Sequence, residues 1–124
     1  MGMRQVFYED WQMECCGRPF AVGDEVGWPL RPADGADAPA PHVVERHGDK
    51  WPETTGRVRE ILMVTQGYAE TGPGSRTWEP VPGTRSLRPV DRCPKWFRQG
   101  EPGERGVRHD EVGVLVTLDV PAAP

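Results

Sequence analysis

The chain has 124 residues, room for one domain and not for two. Fifteen Lys and Arg against 19 Asp and Glu give a net charge of −4 and an isoelectric point near 5.4, which argues against a general binder of nucleic acid or anionic membranes. With 15 Gly and 14 Pro, long helices are excluded over most of the chain; no run reaches the roughly 18 apolar residues of a membrane span, and no signal peptide is legible, so the expectation is one cytoplasmic domain over residues 1–124.

Gln5–Tyr8 combines β-branched and aromatic residues over a short length and predicts a strand. Acidic Glu9, Asp10 and Glu14 surround Trp11 and Met13, and Gly17 and Pro19 then stop any helix, so a turn or a single helical turn is expected there. Phe20, Val22, Val26 and Trp28 share parity around a Gly23-Asp24 turn, the mark of a strand with one apolar face. Residues 31–41 reduce to Pro, Ala, Asp, Gly and Arg, too poor in apolar area to offset ordering entropy, and read as a mobile loop. A short strand or helical turn follows at His42–His47, then a second loop carrying Trp51 before Pro52.

Gly56–Tyr68 is apolar on both faces in its second half. Val58, Ile61, Leu62 and Thr65 also fit helical spacing, but length, β-branching and the flanking Gly56 and Gly67 favour a central strand. Trp78 sits in a Pro-rich connection between Gly72 and Gly83. Thr84–Val90 reads as an edge strand because Pro89 interrupts it. Val112, Val114, Val116, Leu118 and Val120 alternate in a last strand. Together these elements predict a mainly β domain, a small antiparallel barrel or compact sandwich with long Pro/Gly-rich loops.

Cys15, Cys16, Cys93, His42, His47 and His109 are six potential soft ligands. Only His42 and His47 are spaced like a zinc knuckle, while adjacent cysteines meet neither disulfide geometry nor a metal template. Reduced thiols with no metal and no cofactor are therefore expected. Cys16 with His47 as base is the thiol-nucleophile alternative, and Glu9/Asp10 beside aromatic residues is the carboxylate-hydrolase alternative. Phosphate loops, nucleophile elbows and His-Glu-x-x-His motifs do not occur. Residues 85–108 hold Arg85, Arg88, Arg92, Lys95, Arg98, Arg105 and Arg108 against Asp91, Glu101 and Glu104, with Trp96 and Phe97 in their midst.

Val22–Trp28 with its Gly-Asp turn, followed later by Gly56-Arg57-Val58-Arg59-Glu60-Ile61, resembles the opening of SH3-like barrels. Phe7-Tyr8-Glu9-Asp10-Trp11-Gln12-Met13-Glu14-Cys15-Cys16-Gly17, with Gly23–Val26, Thr55–Val58 and the Gly113–Val120 strand, resembles an actinobacterial family of small proteins described only as a domain of unknown function. The resemblance implies a family and no activity.

The reading that follows is a non-catalytic binding or adaptor module. Its candidate site is an aromatic and basic docking face of Trp51, Trp78, Arg88, Arg92, Lys95, Trp96 and Arg98, since Trp and Arg dominate binding hot spots on scaffolded loops. Such a face suits a protein partner first and a single nucleic-acid strand second; a membrane partner is not expected. At least two of the three loop tryptophans should be accessible near Arg85–Arg98.

Overall fold

The computed structural model describes residues 2–35, 37–48, 50–103 and 106–121; Arg105 and Glu104 of the basic segment, and Ala36 of the 31–41 loop, lie outside them. Strand β1 (Gly2–Glu9) runs into helix α1 (Asp10–Cys16), followed by β2 (Phe20–Ala21), β3 (Glu25–Pro32), β4 (His42–Val44) and the 18-residue β5 (Glu53–Glu70). β6 (Trp78–Pro80), β7 (Ser86–Pro89), β8 (Arg92–Cys93) and β9 (Val107–Val120) complete the order. The predicted mainly β class holds. Strands β3, β4, β1, β9 and β5 pair in that order, and β5 returns to pair with β3, so the sheet closes on itself as a ring. One pair in it, β1–β4, is parallel, where an antiparallel arrangement was expected: the α1–β3 excursion brings the chain back alongside β1 in the same direction. Among the described residues no helix is long and apolar enough to cross a membrane.

Alternation places Val6 and Tyr8 of β1, and Val114, Val116 and Leu118 of β9, in the principal core, with Phe7 and Leu115 on the opposite face. Tyr8, Phe20 and Trp28 meet at its centre: Tyr8 and Trp28 lie edge-to-face at 5.1 Å, and Phe20 and Trp28 do so at 4.8 Å, a geometry that adds about 0.5–1.5 kcal/mol per pair beyond area burial. On β5, register shifts between Val58 and Glu60 and between Val64 and Thr65 change the phase of alternation. Val58, Ile61 and Met63 consequently share the principal core, while Leu62 and Val64 join Phe7, Val43 and Leu115 in a second cluster. The segment is apolar on both faces because each face packs into one of these two clusters.

Two local expectations change, and one pairing is added. The turn or single helical turn expected after β1 is a seven-residue helix, with Gln12 and Met13 buried on one side of it. The Pro-rich connection carries β6, which pairs with the end of β5. Arg92–Cys93 pairs with Phe20–Ala21 in a separate small sheet. Among the described residues the Pro89 strand, β7, pairs only with β5, as an edge strand should.

Candidate functional site

An open cleft of about 960 Å³ lies where β1 meets α1, between the C-terminal third of β5, the β6–β7 turn and the start of β9. That volume falls in the range of ligand sites. Phe7, Val64 and Val112, all from the second apolar cluster, form part of its lining. Its charged lining comprises Glu9, Asp10, Asp37 and Asp110 against Arg85 and Arg108, an excess of two carboxylates.

The walls are held by bonds that reach across the sequence. Gln66 is buried and its Nε2 donates to the Val81 carbonyl at 3.2 Å and to Thr84 Oγ1 at 3.0 Å; the Thr84 hydroxyl donates to the Val81 carbonyl at 2.6 Å. These bonds pin the β6–β7 turn to β5. Arg85 donates to the Asp37 carbonyl at 2.8 Å and ties in the loop before β4. Arg108 lies 4.7 Å over the Trp78 ring and pairs with Asp110 at 3.1 Å, so its fork is fixed by a cation–π contact and by an ion pair. Burial raises the Asp10 carboxyl above its ordinary range and outweighs the Trp11 amide bond that opposes it; Glu14 and Glu9 push the same way as burial. Tyr68 is raised as well, by burial and then by the carboxylates of Asp10 and Asp110.

At the other end of α1, His47 Nε2 lies 2.7 Å from Cys15 Sγ and 3.1 Å from Cys16 Sγ. The two sulfurs are joined as a vicinal disulfide across Cα atoms 3.8 Å apart, a correction to the expectation of separate reduced thiols. His47, from the loop after β4, draws both sulfurs to one side of the helix end, which their adjacency in sequence conceals. The imidazole stacks on Trp11 at 5.5 Å, and the His47 amide donates to Glu45 Oε2 at 3.1 Å. Glu45 also accepts from Arg31 Nε at 2.8 Å and from buried Gln12 at 2.7 Å. Burial alone would raise the Glu45 carboxyl; the bonds from Arg31, Gln12 and His47 together outweigh it and hold the group below its ordinary range. Cys93 is a free, buried thiol pushed up to about 12 by burial, and so is chemically quiet.

The residues chosen from sequence fall in different places. Trp51 (39% exposed) precedes the start of β5, whereas Trp78 pairs with Glu70 at its end. Trp96 is 70% exposed, with Lys95 Nζ 5.8 Å from its ring centroid. Lys95 is committed to the Met13 and Gly17 carbonyls at 2.8 and 3.1 Å, closing α1. Arg88 bonds Glu111 at 3.5 Å, the Arg98 amide donates to the same carboxylate, and Arg92 and Arg98 are exposed. Two of the three loop tryptophans, Trp51 and Trp96, are exposed, while Trp78 is half-buried. Tyr68, Gln66 and Asp110 carry no local motif; only the pairing of β5 with β9 brings them together, with Gln66 opposite Asp110 and Tyr68 opposite Arg108.

Comparison with curated proteins and with solved structures finds no match. The model of the Family of unknown function (DUF6578) matches residues 2–120, every strand of the ring and both ends of α1, and the chain belongs to that family.

Proposed function

We propose that this protein is a non-catalytic binding module of the cytoplasm whose partner places an extended, basic peptide segment in the cleft. The observation that carries this reading is the cleft's composition: an apolar stretch of Phe7, Val64 and Val112 beside four carboxylates and two arginines. Arg108 is already paired with the Asp110 carboxylate, and Arg85 is bonded to the Asp37 backbone carbonyl. A Lys or Arg side chain flanked by apolar residues meets unbalanced carboxylate on one wall and apolar surface beneath. Trp78 contributes by holding Arg108, while Trp51 and Trp96 lie outside the lining and are left for the partner's flanks.

Titrating labelled chain with basic, acidic and neutral peptides while following amide resonances tests the reading. Basic peptides should shift Gln66, Tyr68 and Val112, and the Asp10→Asn and Asp37→Asn variants should bind more weakly. Shifts confined to residues 88–98, or binding of oligonucleotides in place of peptides, would overturn it. A second reading, a carboxylate-dependent hydrolase, rests on the raised Asp10 carboxyl in a cleft, the condition a general acid needs. Turnover of aryl glycosides or esters that disappears in Asp10→Asn would favour it over the binding module.

A further inference from the structure

The Cys15, Cys16 and His47 group lies outside the cleft lining and is chemically distinct from it. Its three ligand atoms lie within 4.8 Å of one another and are exposed. Ligand atoms around a tetrahedral zinc ion stand about 3.5–4 Å apart, given Zn–S near 2.3 Å and Zn–N near 2.0 Å. An outward shift of about 1 Å in these exposed side chains therefore admits the ion. Two thiolates and an imidazole form a borderline-soft donor set that suits zinc and rejects the oxygen-seeking cations Mg²⁺ and Ca²⁺. Three protein ligands leave a fourth position, and on an exposed corner that position faces solvent. The histidine is also supported from outside: its ring stacks on Trp11, and its amide is held by Glu45, which Arg31 and Gln12 fix in turn. These contacts hold the His47 ring and backbone in place with Nε2 toward both sulfurs.

We propose that the reduced Cys15–Cys16 pair and His47 form an exchangeable zinc site with one open coordination position. The vicinal disulfide is the oxidised form and offers no thiolate. A trialkylphosphine restores the dithiol: phosphorus supplies the electron pair and takes the oxygen of one water, whose two hydrogens go to the sulfurs. Zinc then displaces both thiol protons as it binds.

The test uses the full chain, reduced with phosphine and kept from air, titrated with Zn²⁺ against a chromophoric chelator and in parallel with Co²⁺. One ion per chain is expected, with thiolate-to-cobalt charge-transfer absorption. Cys15→Ser and Cys16→Ser should each remove about half of that absorption and weaken Zn²⁺ at least about tenfold; His47→Ala should keep the absorption and weaken Zn²⁺ about tenfold. Cys93→Ala and the oxidised chain are the controls: the first should bind as the parent does and the second should not bind. Because all three ligands are exposed, these variants should keep the parent circular dichroism spectrum. Failure of the reduced chain to bind, an affinity left unchanged by Cys15→Ser and Cys16→Ser, or one ion shared between two chains would overturn the proposal.

Discussion

Helix α1 starts at Asp10 on the rim of the cleft and ends at Cys16 against His47, so its seven residues carry one candidate site at each end. About 9 Å of helix separates those ends, yet they are built differently. The cleft is lined by β1, β5 and β9 of the closed ring, and its turn is fastened through buried Gln66. The His47 corner hangs on a chain of side-chain bonds from Gln12 and Arg31 through Glu45 to an exposed loop. A site walled by strands keeps its shape without a ligand, whereas a site at a loop relies on a few polar links.

The sharpest way to break the first end is Gly113→Ala. Gly113 has φ of 150°, lies opposite both Glu9 and Val64, and an added Cβ would meet the Phe7 ring at 2.8 Å and the Tyr8 carbonyl at closer range. The expected loss is about 3 kcal/mol from backbone strain and overpacking, read as a lowered urea midpoint together with loss of cleft binding.

Gln12→Ala breaks the second end. It strips Glu45 of one donor and leaves the Arg46 amide, now bonded to Gln12 Oε1 at 2.9 Å, without its acceptor. About 2 kcal/mol should be lost. Hydrogen exchange should quicken at Arg46 and His47 while remaining slow at Gln66 and Gly67; equal quickening at both ends would mean that they are not held separately.

The two ends should also respond to pH in opposite directions. Asp10 is raised, so the stability it lends is complete below its ordinary value and is lost as pH rises through its folded value. Glu45 is lowered, so its contribution is complete above its ordinary value and is lost as pH falls through its folded value. In urea midpoints followed from acid to neutral pH, Asp10→Asn should therefore gain on the parent chain as pH rises. Glu45→Gln should lose least to the parent at the acid end and most at neutrality. The same direction for both would contradict the contrast.

The smallest effect belongs to Trp96→Ala. At 70% exposed, its stability should change by less than about 0.5 kcal/mol. Trp78→Ala should cost more, because it also frees Arg108 from its stacking partner. Thermal melts of the two variants side by side test the ranking.

Much of the framework was legible because strand periodicity is a local property. Alternation located β1, β3, the second half of β9 and the long β5, Pro89 marked an edge strand, and of the residues placed on the apolar face around Gly23-Asp24, Trp28 is core at 3% exposed while Val22 is exposed. The candidate sites were legible only in fragments. Glu9, Asp10, Arg85, Cys16 and His47 each drew notice, but no spacing rule joined them, and the arginine segment chosen for docking proved partly occupied with closing α1 and pairing Glu111.

What the amino-acid order determined by itself was which faces are apolar, since a side chain's place on a strand follows from the residues two positions away. Tertiary structure decided everything that depends on register and ring closure. The β5 bulge between Val58 and Glu60 turns Leu62 and Val64 away from the principal core. β5–β9 pairing set Tyr68 opposite Arg108. The loop after β4 brought His47 to sulfurs 31 and 32 residues away. Those juxtapositions arise when distant strands close into a ring, and the energy that selects one closure is spread over the whole core, so no short window of residues contains it.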